Sequence, residues 1–271
     1  MKRLVFRLLY ISGIVRLAAW LNRRRVMVLC YHGVTERTVR HPKDHFGLHV
    51  RHNRFVQHLE YLRRRYQVIP LKDYLTARRE GQSFPNYSVV ITFDDGYRNF
   101  LTAAAPRLLA SGMTASMFLI TDRIRNGLAA TEGKWIEHDD ETYLSWGDIQ
   151  NLRQRGFEFG SHTCSHTELP KLSPAEIEHE LRASKTVLTN QLKMESMPLA
   201  YPYGLASDGI AAKAEALGYI CAFTTDAGFN DEETNLFMLH RTLIGDDDDL
   251  TGFAARVSGL TRLLSQGMAR G

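Results

Sequence analysis

The chain is predicted to be an α/β protein: a distorted barrel of seven or eight parallel β-then-α units, preceded by a basic amphipathic helix. Three observations predict it. From residue 26 onward, short apolar runs of strand length alternate with segments of helical spacing, an alternation that gives a parallel sheet with helices outside it. The 271 residues are 44% hydrophobic and 24% charged, with no Pro/Gly/Ser-rich linker and no internal repeat, so one domain of barrel size is the simplest partition. The residues able to do chemistry fall at the ends of the strand-like runs, where a parallel barrel gathers them into one mouth.

Residues 4–21 (LVFRLLYISGIVRLAAWL) are apolar but interrupted by Arg7 and Arg16. No uncharged stretch reaches the roughly 18–20 residues that a spanning helix requires. Arg16 inside the apolar region, and Asn22-Arg23-Arg24-Arg25 where a small-residue cleavage site belongs, argue against a cleavable signal peptide. A helix here places Leu4, Leu8, Ile11, Val15 and Ala18 along one side. Amphipathicity alone leaves two arrangements open: a helix lying in a membrane interface with its arginines near anionic headgroups, or one packed on the barrel. The expected partition is 1–25 as this helix and 26–271 as the catalytic domain.

The remaining elements follow in order. Val26–Cys30 is a compact apolar run suited to a buried strand, and Arg54–Arg65 has helical spacing through Phe55, Leu59 and Leu62. A short strand at Val68-Ile69 precedes a helix over Leu71–Arg79. Ser88–Phe93 (SVVITF) is the clearest buried strand, Phe100–Ala110 is helical with Ser111-Gly112 as its stop, and Ala115–Ile120 is the next strand. A helix over Ser145–Arg155 ends at Gly156, and a strand over Phe157–Gly160 follows. Ser173-Pro174-Ala175-Glu176 has capping-box spacing with proline at the first helical position, opening a helix to about Leu192. Strands at Pro198–Tyr201, Tyr219–Phe223 and Phe237–His240, and a helix over Ser207–Leu217 capped by Gly218, complete the series.

Charge narrows the function. The net charge is +4, but residues 1–25 carry seven basic groups (Lys2, Arg3, Arg7, Arg16, Arg23, Arg24, Arg25) and no acidic one. The remainder holds 27 basic and 30 acidic residues. A nucleic-acid-binding domain spreads basic groups over a folded face, so that class is disfavoured. Cys30, Cys164 and Cys221 are isolated, with no CxxC pattern and no disulfide framework. Cys164, between two histidines, reads as a small buried space-filler in preference to a metal-proximal thiol. Asp246–Asp249 reads as a solvated acidic turn in preference to a cation site.

Four strand-end motifs carry candidate chemistry. Thr92-Phe93-Asp94-Asp95-Gly96 puts adjacent carboxylates after a strand, costly to bury unless a cation binds one and leaves the other for proton transfer. Alone, the dipeptide would read as a helix N-cap in a turn. Gly160-Ser161-His162-Thr163-Cys164-Ser165-His166 places two histidines four apart, able to converge on one ion. One Asp and two His leave a fourth position for water, as a catalytic zinc-like site needs. In Ala200-Tyr201-Pro202-Tyr203-Gly204, proline sets the turn and the N–H of Tyr203 can face a substrate oxygen. In Tyr31-His32-Gly33, His32 can point into the same mouth.

TFDDG at 92–96, SHTCSH at 161–166 and YPYG at 201–204, in that order and spacing, resemble the first three motifs of the polysaccharide deacetylases, the NodB-homology family of carbohydrate esterase family 4. The resemblance covers roughly residues 26–245. It implies a distorted (β/α) barrel and a hydrolase that removes N- or O-acetyl groups from an acetylated glycan with one divalent metal ion, commonly zinc. No other cofactor is implied. By the family's pattern Asp94 is the general base, Asp95, His162 and His166 are the metal ligands, and the Tyr203 amide helps bind the oxyanion. YHGV at 31–34 resembles the poly-N-acetylglucosamine deacetylase branch, in which such a histidine, here His32, is the general acid.

The chain departs from the commoner pattern twice. Ala200-Tyr201 stands where many members have an arginine that orients the base. The late Leu-x-His motif is replaced by Leu239-His240-Arg241, leaving His240 as a rival acid and Arg241 as the expected partner of Asp94. The expected reaction is N-deacetylation of an N-acetylhexosamine-containing glycan or lipid-linked saccharide. The alternatives are an O-acetyl esterase on a polysaccharide and a non-catalytic glycan-binding domain of the same fold. The insertion Asp122–Tyr143, with Trp135, is expected to shape one rim of the groove, and the expected location is the cytoplasm, peripheral to the inner membrane through residues 1–25.

Overall fold

The computed structural model describes residues 2–36, 47–124, 142–262 and 264. The chain opens with two helices, α1 (Lys2–Ile11) and α2 (Ile14–Leu21), then strands β1 (Val26–Tyr31), β2 (Gly33–Thr35) and β3 (His49–Arg51). Helix α3 (His52–Arg65), β4 (Gln67–Val68), α4 (Leu71–Glu80) and β5 (Ser88–Phe93) follow. A π-helical turn at Phe100–Ala104 leads into α5 (Ala105–Ala110), then come β6 (Ser116–Leu119), α6 (Trp146–Gln154), β7 (Glu158–Ser161) and α7 (Pro174–Leu192). The last elements are β8 (Leu199–Ala200), α8 (Asp208–Ala216), β9 (Ala222–Phe223), β10 (Phe229–Asn230), β11 (Thr242–Leu243) and α9 (Leu250–Val257).

The main sheet runs β10-β1-β5-β6-β7-β8-β9, parallel throughout except for β10, which pairs antiparallel to the start of β1. The segment 239–243 closes the ring. Leu239 bridges to Phe223 in β9, and Thr242-Leu243 pairs in parallel with Leu29-Cys30 of β1. The expected strand at Phe237–His240 is thus displaced: its ladder with β9 is a single bridge, and its regular part lies two residues later.

Period two along each strand sorts side chains into two layers. Val26, Val28, Val90, Phe118, Ala200, Phe223 and Leu239 pack with one another inside the ring. Met27, Leu29, Tyr31, Val89, Ile91 and Phe93 pack outward against helix residues such as Phe55, Leu59, Leu108 and Leu181. The ring is narrow, so Gly160 is required: a Cβ there would stand 2.7 Å from the Phe118 ring and from the Pro198 carbonyl.

Helix starts and stops are local. Ser145 and Ser173 each form a complete capping box, with Asp148 and Glu176. The expected single helix over Phe100–Ala110 begins as a π turn, because Pro106 has no N–H to give the regular ladder at that point.

The N-terminal segment is also not one helix. It bends by 72° at Ser12-Gly13, where Gly13 adopts φ +84°. The bend splits the expected stripe: Leu4, Leu8 and Ile11 are exposed, whereas Val15 and Ala18 are buried against Ala254, Ala255 and Leu260 at α9. Helix α9 itself has no counterpart in the sequence reading. The Asp246–Asp249 turn before it is solvated only in part: Asp247 is exposed, but Asp246 and Asp248 are buried. Asp246 accepts from the Arg51 N–H and Nε, with Arg54 at 3.6 Å, Asp248 takes Arg256, and Asp249 caps α9. The cations there are arginines.

Candidate active site

The parity that fills the ring with apolar side chains lower down brings polar ones to its upper end. Val90, Thr92 and Asp94 alternate on the inner face of β5, and Cys30 and Arg241 reach the same level from β1 and the closing segment. Arg241 is fully buried. Its guanidinium donates through its two terminal nitrogens to both oxygens of Asp94, at 2.6 and 2.8 Å, and lies 5.4 Å from the Phe118 ring and 5.7 Å from the Phe223 ring. Its Nε donates to the Thr224 carbonyl, and the neutral thiol of Cys30, pushed up by burial, donates to Asp94 Oδ2 at 3.3 Å. Burial alone would raise the Asp94 carboxyl; Arg241, then His162, outweigh it and hold Asp94 well below the usual carboxylate range.

Asp95 leaves the strand register. It has φ +73° and Gly96 φ +84°, so the chain turns back at the strand end and both neighbouring carboxylates stay at one mouth. A Cβ at Gly96 would meet Ile124 and Leu119 at 3.0 Å. Asp95 is only 6% exposed, and its Oδ1 has no hydrogen-bond partner. That oxygen lies 3.5 Å from Nε2 of His162 and 3.5 Å from Nε2 of His166.

The histidine loop is tied from beneath. The Nδ1–H of His162 donates to the Ala200 carbonyl at 2.8 Å, which turns Nε2 toward Asp95. Glu180, on the packed face of α7, accepts from the N–H groups of Cys164 and Ser165 at 3.0 and 2.9 Å and from the Ser165 hydroxyl at 2.6 Å. His166 has φ +66°, and burial first, then His162, pulls its imidazole down to about 4, keeping it neutral.

These groups fit a divalent ion. A tetrahedral centre with bonds of about 2.1 Å has ligand–ligand edges of roughly 3.4 Å, close to the two 3.5 Å separations. Asp95, His162 and His166 together offer three such atoms, all within 4.8 Å of one another. An unpaired buried carboxylate oxygen facing two imidazole nitrogens is otherwise unexplained.

The other expected residues separate. His32 stands at the mouth, among the groups that lower Asp94, with its Nδ1 buried and unpaired. His240 follows the opposite parity from Leu239 and Arg241. Its backbone pairs with Asn230, its ring lies beside Gly228, and burial, then Arg262, lowers it. It therefore sits outside the ring. Tyr203 has φ +58°, and its half-exposed ring lies 4.7 Å from that of His166.

Three contributors were not anticipated: Cys30, Thr92, which accepts from Arg241 at 3.4 Å, and Glu180. Glu180 had a legible signal, being a carboxylate at the apolar-face spacing of Ile177, Leu181, Ser184 and Leu188. Cys164 is not a buried filler. It is partly exposed, and its thiol, pushed up to about 12 mainly by desolvation, donates to Asp122 at 3.1 Å. Beyond Asp95 the rim holds stacked Tyr97 and Tyr143, ring centroids 5.2 Å apart, with Arg123 against Tyr143. Most of the expected groove-shaping insertion, including Trp135, lies outside the described residues.

An ion cradle beside a separately held, ionised carboxylate, both at the strand ends of a parallel barrel, is the equipment of a hydrolase. A family profile described as polysaccharide deacetylase matches residues 81–222. The chain belongs to the polysaccharide deacetylase family, hydrolases of carbohydrate esterase family 4. It is 26% identical over 249 residues to YxkH of Bacillus subtilis (strain 168), named as a polysaccharide deacetylase, covering 90% of this chain and 81% of that one. It is 27% identical over 190 residues to the poly-β-1,6-N-acetyl-D-glucosamine N-deacetylase of Staphylococcus aureus (strain MSSA476), covering 67% of this chain and 62% of that enzyme.

Two solved structures share the fold. Streptococcus pyogenes deacetylase PplD has a TM-score of 0.74 at 24% identity, covering 86% of this chain and 98% of that one. IcaB from Ammonifex degensii has a TM-score of 0.71 at 22% identity, covering 87% and 97%.

Proposed function

We propose that the chain removes N-acetyl groups from a glycan containing N-acetylhexosamine units, using one divalent ion, with zinc the ion expected. The observation that carries this reading is the contrast between two adjacent carboxylates. Asp94 has both oxygens engaged by Arg241, whereas Asp95 Oδ1 is buried, unpaired and 3.5 Å from each of two imidazole nitrogens. One carboxylate is arranged as a base and the other as a ligand. The S. aureus relative's poly-N-acetylglucosamine supports the substrate class.

Asp95, His162 and His166 would hold the ion, which when bound acidifies water and polarises the acetyl carbonyl. Asp94 takes the proton of the attacking water. Arg241 keeps Asp94 ionised and in one orientation, and by the same charge lowers its proton affinity, so Asp94 suits only a water that is already acidic. His32, protonated, gives its proton to the departing sugar nitrogen, which would otherwise leave as an amide anion. The Tyr203 N–H binds the oxyanion of the tetrahedral intermediate. Acetate and a free amino sugar result.

Acetate release would be measured on N-acetylglucosamine oligomers and on an O-acetylated polysaccharide, each with and without chelator. The expected result is release from the N-acetylated oligomers that chelator abolishes and zinc restores. Release confined to the O-acetylated polymer would overturn the substrate class, and release indifferent to chelator would overturn the ion.

A further inference from the structure

The N-terminal helix pair inverts the usual distribution of side chains. Fifteen large hydrophobic residues are exposed among the described residues, and eight of them fall in α1 and α2: Leu4, Val5, Leu8, Ile11, Ile14, Leu17, Trp20 and Leu21. Single exposed apolar residues are ordinary, but a concentration of this kind marks a surface with an occupant.

The exposure is not that of a loose segment. On α1, Phe6, Leu9 and Tyr10 pack toward α9, while Leu4, Leu8 and Ile11, at i, i+4 and i+7, line the opposite side. On α2, Val15 and Ala18 are 1% and 4% exposed against Ala254, Ala255 and Leu260, and Leu17, Trp20 and Leu21 face out. Each helix therefore has one apolar face used by the fold and a second left over.

We propose that this second face docks the protein on an anionic membrane surface, with the two helices lying along the interface. Charge selects that occupant. Residues 1–25 contain seven basic groups and no acidic one, and of the described side chains only Arg25 has an acidic partner in range, Asp231 at 3.5 Å. A second copy meeting this face symmetrically would set two basic segments against each other, which like-charge repulsion opposes. Anionic headgroups neutralise the same charges, and Trp20, with Arg23 stacked 4.4 Å from its ring centroid, joins an aromatic ring to a cation as interfacial anchors do. No single described helix is long and apolar enough to cross a membrane. The 72° bend and the burial of Val15 and Ala18 hold the pair on the protein's surface.

The test uses the full chain and vesicles of phosphatidylglycerol mixed with phosphatidylcholine, against vesicles of phosphatidylcholine alone. Co-sedimentation is expected to be at least about tenfold stronger on the anionic vesicles and to weaken as salt rises. Leu8, Ile11 and Leu17 are 60%, 70% and 56% exposed, so the triple variant L8E/I11E/L17E should fold. It should lose about tenfold or more in vesicle binding, with its thermal midpoint and its acetate release from soluble oligomers kept. Two results would overturn the proposal: equal binding of both proteins, or wild type absent from both pellets. So would a wild-type dimer in vesicle-free sedimentation that the triple variant turns into a monomer, since a second copy would then be the occupant.

Discussion

The barrel mouth and the N-terminal helix pair depart from ordinary burial in opposite senses. At the mouth, Asp94, Asp95, His162 and Arg241 are all at most 6% exposed, which is costly for ionisable groups unless partners are built in. Three of them have such partners: Arg241 on Asp94, and the Ala200 carbonyl on His162. Asp95 Oδ1 has none, and it faces His162 and His166, with which it could hold a metal ion. At the helix pair, eight large apolar side chains lack cover. A missing charge and a missing apolar surface imply different ligands, so the same accounting of unmatched groups points to a divalent cation at one end and a lipid surface at the other.

The largest expected effect would break the mouth's division of labour. His166→Ala should lose ion and activity together, because it removes one of three donor atoms. Asp94→Asn should keep the ion, read by metal analysis of the purified protein, while turnover falls by about 10²–10⁴. Ion loss in Asp94→Asn matching that of His166→Ala would make both carboxylates ligands and erase the contrast between them.

A smaller effect should distinguish the two histidines. His32→Ala should abolish release from the amide substrate, retain the ion, and spare hydrolysis of an activated acetyl ester whose leaving group needs no proton. His240→Ala, whose ring lies outside the barrel, should stay within about threefold of wild type; a single acid is worth about 10²–10⁴ in rate. The reverse pattern would move the acid to the closing segment.

The smallest effect concerns stability away from the mouth. His58 is buried and stacked on Phe253, with its ring centroid 4.0 Å away. Its Nε2–H donates to the Asp248 carbonyl and its Nδ1 accepts from the Tyr31 hydroxyl. Burial, opposed by that Asp248 bond, lowers it from 6.5 to about 4. Between those values the unfolded chain binds a proton that the folded one does not, so stability is full above pH 6.5 and falls as pH drops toward 4. The loss should reach about 3 kcal/mol. Denaturant unfolding across this range should show a shallower pH dependence in His58→Gln than in wild type. An identical slope in both proteins would mean that His58 is already charged in the fold.

Much of the mouth was legible because its motifs are contiguous. TFDDG, SHTCSH and YPYG each follow an apolar strand, and parallel strand ends converge whatever the details of the helices. Asp95, His162 and His166 could therefore be read before any coordinates. So could the Ser173 and Ser145 helix starts, since capping is decided within four residues. The pairing of Arg241 with Asp94 was anticipated across 147 residues, from an arginine missing in one motif and present beside another.

What only the tertiary structure decided depends on distances along the chain that local patterns do not encode. Leu239 and Arg241 face inward and His240 outward because the closing segment bonds to β9 on one side and β1 on the other, and only that register assigns the parity. Glu180 clamps a loop some fifteen residues before it. Asp246 and Asp248, four-in-a-row acidic by sequence, are buried because arginines from α3 and α9 arrive beside them. The N-terminal stripe was periodic, yet one glycine at positive φ turned half of it into the core and left half outside. Periodicity determines that a helix has an apolar face; which face is covered depends on what the rest of the chain brings to it.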